Sequence, residues 1–181
     1  MKVLLDACVI YPTVMREMLL GVAGQGVFTP LWSARILEEW ARAARKIGPG
    51  GEAQARGEIA LLAVNWPAAE VTWPPSLEAR LWLPDPADVH VLAAAIAGSA
   101  DMICTLNAKD FPRQMLAEEG LSRQDPDGFL HGIWQAQPEL VAHVAGQVLE
   151  KARSLSEHDW QMRPLLKKAR LPRLAKALAT P

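Results

Sequence analysis

Short apolar runs alternating with stretches of helical periodicity constrain this chain more than any other feature. Residues 3–6, 27–29, 70–73 and 102–105 read as strands, and residues 120–123 as a last short one. Helices are expected over 13–22, from a cap at Ser33 to about residue 46, and over 52–65 and 76–82. Two more follow, one in the Ala-rich stretch after Pro86 and one over 107–119, bounded by the usual Pro and Gly breakers. Such alternation predicts an α/β fold, a parallel sheet flanked by helices. In sheets of this kind ligands bind beyond the carboxyl ends of the strands, where strand order reverses. The residues that directly follow a strand are therefore the ones to read for chemistry.

From residue 126 onward the pattern is helical only. The expected organisation is an α/β domain at 1–125 and a helical C-terminal extension at 126–181. Net charge is −1, but residues 1–150 hold a balance of −7 and residues 151–181 one of +6. An acidic body with a basic tail suits a protein that holds cations in one place and polyanion in another. No apolar stretch reaches the ~18 residues that a membrane span needs, and no signal segment precedes the first strand, so a cytoplasmic protein is expected. Cys8 and Cys104 lie in apolar, strand-like runs and are expected to be buried, inert thiols. The four histidines form no zinc-spaced motif.

The first strand, in "MKVLLDACVI", ends on Asp6, a carboxylate inside an apolar run. Even a neutral polar group left unbonded there costs on the order of 2 to 7 kcal/mol, so a partner is required. "DPAD" and "NAKD" share a design in which Asp85 and Asn107 are helix caps. Asp88 and Asp110 then fall three residues later, where a carboxylate also serves the free N–H groups of the first turn. In "SARILEEW", Glu39 lies near the packed stripe of Ile36, Leu37 and Trp40, whereas Glu38 faces Arg42 and Arg45. If Asp6, Glu39, Asp88 and Asp110 converge, each pair at ~5 Å repels by about 3 kcal/mol at an effective dielectric of ~20. All-oxygen ligands of that kind select Mg2+ or Mn2+ over zinc.

"LLDACVI", "SARILEEW", "DPADVHVLAAAIAGSAD" and "ICTLNAKDFP" together resemble the PIN-domain ribonucleases, and most closely the VapC-like toxins of bacterial toxin–antitoxin pairs. The resemblance spans residues 2–125. It implies a PIN-like three-layer fold with strand order 3-2-1-4-5, plus C-terminal helices, and a divalent-metal endoribonuclease. It also implies catalytic acids at Asp6, Glu39, Asp88 and Asp110, of which Asp6, Asp88 and Asp110 hold the metal, with Asp85 beside Asp88. The partners it implies are an RNA substrate, a cognate antitoxin and a possible homodimer. Where many relatives carry an acid, position 107 is asparagine, which leaves the number of metal ions open. Asn107, Asp85, Thr105 and Ser33 are auxiliary candidates, and Lys109 and Arg113 are candidates for phosphate contact. The extension after residue 125 resembles that of a PIN subgroup of toxins.

Three rival readings stand beside this one. A haloacid-dehalogenase-type phosphohydrolase wants a second acid two residues after the first, where this chain has Cys8. A receiver-like domain wants an acidic pair at the first strand, and only Asp6 is there. A PIN scaffold that binds RNA or protein without cutting is the third, and Asn107 is the residue that keeps it open.

Overall fold

The computed structural model describes residues 1–179; residues 180 and 181, the end of the expected 126–181 extension, lie outside the described residues. Contacts divide the chain into two units, Met1–Tyr11 with Phe28–Gln124, and Pro12–Val27 with the chain from Asp125 on.

In the first unit, strand β1 (Lys2–Leu5) buries Val3, Leu4 and Leu5 completely, as a central parallel strand covered on both faces must. Asp6 turns the chain directly into a one-turn helix, α1 (Ala7–Ile10), its carbonyl accepting from the Val9 and Ile10 N–H groups. Cys8 therefore lies on a helix and half-buried, not on a strand. The chain then leaves the unit for α2 (Thr13–Gly24) and returns as β2 (Thr29–Leu31), two residues later than expected. Helices α3 (Ala34–Ala43) and α4 (Gly51–Asn65) follow, then the short α5 (Pro75–Ala79). Ser33 caps α3, its hydroxyl accepting from the Ile36 N–H at 3.2 Å.

Helix α6 (Val89–Ala97) is buried from Val89 to Ala95, and such an all-round apolar helix belongs against a sheet. It packs on β1 and on β3 (Met102–Cys104). Gly98, at its end, admits Leu31 so closely that an added Cβ would sit 2.7 Å from Leu31 Cδ1. Helix α7 (Arg113–Glu118) and strand β4 (Ser122–Gln124) complete the unit. The sheet is fully parallel with order β2-β1-β3-β4, and Leu5 pairs with Cys104. Connections diverge between β1 and β3, which makes that crevice the switch point of the sheet.

The α/β fold with a helix-flanked parallel sheet is the expected one, with four strands in place of five. The strand expected at 70–73 reduces to one parallel bridge, Trp32 with Glu70, beyond β2 where order 3-2-1-4-5 puts it. Trp32 gives its N–H to Ala69 and accepts from Val71. The next residue facing that edge is Pro30, which has no N–H to give, so the pairing stops there. The helix expected from Asn107 starts only at Arg113. Pro112 disfavours helical backbone before it, and residues 107–110 form a turn closed by the Asp110 N–H on the Asn107 carbonyl at 3.3 Å.

The second unit is helical: α2, α8 (Pro126–Ala136), α9 (Pro138–Ser154), α10 (Met162–Lys168) and α11 (Pro172–Ala177). Thr13–Gly24 lies within the expected 1–125 domain, yet it packs on α8, α9 and α10. It does so through Met15, Met18, Leu19 and Val22, all buried, and Gly21, where a Cβ would stand 2.6 Å from Val144 Cγ1. Helix α10 ends in a Schellman motif: the Leu171 N–H donates to Leu166 and the Arg170 N–H to Lys167. Arg170 thereby holds φ +61°, a left-handed conformation that disfavours a side chain by roughly 1 kcal/mol or more.

Buried Asp127 ties the first turn of α11 to α8, accepting from the Arg173 N–H at 2.9 Å and the Leu174 N–H at 3.0 Å. Asp127→Ala is expected to destabilise the protein by about 2 kcal/mol, since a cap is lost and two N–H groups lose their partner. Urea denaturation measures it, with Asp127→Asn falling between.

Candidate active site

Strand register places Asp6 and Thr105 side by side, each immediately after its strand, with the Asp6 N–H donating to the Cys104 carbonyl at 3.2 Å. Asp6 is only 6% exposed, so its carboxylate must be partnered. The Thr105 hydroxyl donates to Asp6 Oδ2 at 2.7 Å, and the Cys8 thiol donates to the same oxygen at 3.1 Å. Burial, and then the Asp6 charge, push the Cys8 thiol up to about 12, so it stays protonated. Cys8 also accepts from the Leu106 N–H at 3.3 Å, pinning the turn after β3 to the turn after β1.

The same turn reaches the next acid. The Asn107 N–H donates to Thr105 Oγ1 at 2.9 Å, and the Asn107 amide donates to Asp88 Oδ2 at 3.0 Å. An unbroken chain of hydrogen bonds thus runs Asp6–Thr105–Asn107–Asp88. Asn107 is not a helix cap. Its amide serves Asp88 because residues 107–110 turn instead of coiling.

Asp85 keeps its capping role, accepting from the Ala87 N–H at 2.9 Å, but the turn it opens, residues 86–88, is a 3-10 turn. Asp88 consequently stands at the start of α6 without a bond to the helix N–H groups. The Asp110 carboxylate has no hydrogen-bond partner among the described residues, its N–H being the group that closes the turn on Asn107. Neither carboxylate is spent on a helix end, which removes the local explanation for both. Carboxylate oxygens of Asp85, Asp88 and Asp110 lie within 4.8 Å of one another. Asp88 is pushed up to about 6, first by burial and then by the charges of Asp6, Asp85 and Asp110, against a small opposing effect of His90. Among the described residues no Lys or Arg forms an ion pair with Asp6, Asp85, Asp88 or Asp110.

Glu39 stands outside the three-carboxylate group. Its Oε1 lies 2.8 Å from Nε2 of fully buried His90 and 3.9 Å from Arg35 Nε. The His90 contact lacks hydrogen-bond geometry, and neither ring nitrogen has a hydrogen-bond partner. Glu38 is engaged by Arg42 at 2.9 Å and Arg56 at 3.0 Å, while Arg45 turns to Glu52. Ser33 is committed to its cap. Lys109 is exposed in the turn before Asp110, and Arg113, also exposed, opens α7.

Two neighbours of the acids escape a reading of the sequence. Cys8 looks like an inert thiol, although its place two residues after a strand-end acid lets it reach back. His90 looks structural, although it sits on the first turn of α6 two residues after Asp88.

Carboxylates gathered beyond the switch point of a parallel sheet, with no Lys or Arg among the described residues paired to them, define an acidic α/β site suited to a hard cation. The PIN-domain profile matches residues 2–109, more than half of the chain, and the chain belongs to the PIN-domain family, whose members are generally divalent-metal nucleases. The match takes in Asp6, Glu39, Asp85, Asp88 and Asn107 and ends one residue before Asp110. Neither the curated proteins nor the solved structures contain a match to this chain. Among the described residues no helix is long and apolar enough to cross a membrane.

Proposed function

We propose that this chain is a divalent-metal-dependent endoribonuclease that hydrolyses RNA phosphodiester bonds, acting as the toxin of a type II toxin–antitoxin pair. The observation that carries the nuclease reading is Asp88, pushed upward first by burial and then by the charges of Asp6, Asp85 and Asp110, with no Lys or Arg among the described residues paired to it. That donor set, all carboxylate oxygen, fits Mg2+ or Mn2+. Asp88 and Asp110 would hold the ion, with Asp85 beside them and Asp6 on the strand-end side. When bound, such an ion lowers the pKa of its water and offsets charge on a phosphoryl oxygen.

The protein's own groups prepare the site for this. Thr105 and Cys8 fix Asp6 by Oδ2, and Asn107 fixes Asp88 by Oδ2, so each carboxylate keeps one oxygen uncommitted. The neutral Asn107 limits the negative charge collected there, which favours one resident ion over two. Glu39 completes the site from the His90 side, through water. Lys109 and Arg113 meet substrate phosphates. Apolar surface on Leu61, Val64 and Trp82, which are 63%, 75% and 65% exposed, suits cover by an antitoxin or a second copy.

Incubation of structured RNA with the protein and Mn2+ is expected to give cleavage that is lost in Asp6→Asn. Equal cleavage by the variant would remove the nuclease reading. Wild type that binds RNA but never cuts it would favour the inert scaffold that Asn107 keeps open. Growth arrest on expression, absent in Asp6→Asn and relieved by the product of a neighbouring reading frame, tests the toxin role.

A further inference from the structure

We infer that α10, α11 and the turn between them form a second contact surface for RNA, one that grips the phosphate backbone without reading sequence. The choice of RNA among polyanions rests on the nuclease reading above. Between Trp160 and Ala179 the chain carries Arg163, Lys167, Lys168, Arg170, Arg173 and Lys176 and no Asp or Glu. All six are exposed or half-buried at the surface. Among the described residues no acid forms an ion pair with Arg163, Lys167, Lys168, Arg170 or Arg173. The unit's other cations are engaged, Lys151 by Glu17 at 2.8 Å and Arg153 by Glu150 at 3.0 Å.

Helix stability does not account for this arrangement. Lys167 and Lys168 in the last turn of α10 favour its dipole. Arg163 and Arg173 stand in first turns, where the dipole opposes a cation, and neither helix has an acid there. Arg163 and Lys167 are also like charges four residues apart.

Arg170 adds an independent observation. It occupies the left-handed position of the Schellman motif, at φ +61°, where glycine is the residue that carries no strain. A charged side chain is kept where folding prefers none. Lys168 Nζ lies 4.9 Å above the Trp160 ring, so an aromatic plane borders the same basic stretch. Cations interleaved with an aromatic side chain are the make-up of sequence-tolerant single-strand contacts.

The test uses the full chain and a labelled single-stranded RNA of mixed sequence, followed by anisotropy in EDTA so that binding is read without cleavage. Replacing Arg163, Lys167, Arg170 and Arg173 by Gln is expected to weaken binding at least tenfold near 0.1 M salt. It should also flatten the slope of log affinity against log salt by about 2 to 3, at ~0.7 for each phosphate the variant no longer neutralises. Arg170→Gly alone is expected to weaken binding several-fold while the melting temperature holds or rises. Unchanged affinity and salt slope in the quadruple variant would overturn the inference. So would Arg170→Gly that lowers the melting temperature and leaves affinity intact. Vesicles of phosphatidylserine and phosphatidylcholine form a parallel arm, where charge-dependent binding with unaltered RNA affinity would give the surface to lipid and overturn it. Because cations of the metal site are absent from this assay, tail-dependent binding together with no Mn2+-dependent cleavage by wild type would sustain this inference and remove the nuclease reading alone.

Discussion

Asp88→Asn is expected to reduce RNA cleavage by about 10³-fold or more while leaving the metal-free protein more stable than wild type at neutral pH. The first effect follows from losing the carboxylate around which Asp6, Asp85 and Asp110 are grouped. The second follows from the burial of that carboxylate and then from the charges around it. In the folded state Asp88 is raised from 3.8 to about 6, so the native protein holds this proton more tightly than the unfolded chain does. For such a group the contribution to stability is fully present below about 4, is lost as pH rises through about 6, and is flat above that. Asp88 is partly solvated, so screening keeps the loss well below the full linkage value. Urea denaturation in EDTA at pH 4 and pH 7 should show wild type losing stability that the variant retains. Millimolar Mg2+ or Mn2+ should raise the melting temperature of wild type and leave the variant where it was. A variant that is less stable at pH 7, or that still gains stability from metal, would show that the cost of the buried charge is not centred on Asp88.

Thr105→Val carries the next largest expected effect. The substitution nearly conserves shape but removes the hydroxyl that donates to Asp6 and accepts from the Asn107 N–H. A buried carboxylate and an amide each lose a partner, so stability should fall by about 2 to 3 kcal/mol. Partners of metal-holding groups are typically worth 10- to 100-fold in affinity or rate, and a loss in that range is expected in Mn2+ titration and in cleavage. Thr105→Ser should restore both, because it keeps the hydroxyl and gives up only a methyl group. Failure of Ser to restore metal affinity would mean that the methyl packing of Thr105 matters and its bond to Asp6 does not.

Much of the site could be read from the sequence because its parts follow directly on apolar runs. Asp6 after Leu5 and Thr105 after Cys104 are marked by a polar residue that interrupts an apolar run. "DPAD" marks a cap at Asp85, which the structure shows, and an acid at Asp88, which stands at the start of α6 without the expected bond to the first-turn N–H groups. What pattern reading missed depends on backbone detail of one or two residues. Pro112 converts the expected helix at 107 into a turn, and only that turn lets Asn107 reach Asp88. Pro30 removes one donor and with it most of a strand. Asp85 joins Asp88 and Asp110 more closely than Asp6 does, since a 3-10 turn sets a different spacing from an α-helical one. Periodicity places a helix over 13–22 but does not say against which helices it packs. The helix expected over 76–82 ends at Ala79, ahead of the prolines at 84 and 86, and leaves Trp82 65% exposed.

The excursion of residues 12–27 into the helical unit sets an order of events during synthesis. Helix α2 leaves the ribosome early, bearing Met15, Met18, Leu19 and Val22, while α8, α9 and α10, which cover it, are made about 100 residues later. For that interval an apolar face waits for its partners, whereas β1 to β4 have every strand they need once residue 124 is made. Helices α8, α9 and α10 therefore complete a unit that residues 12–27 begin, and a chain stopped at residue 124 leaves α2 uncovered although the sheet is finished.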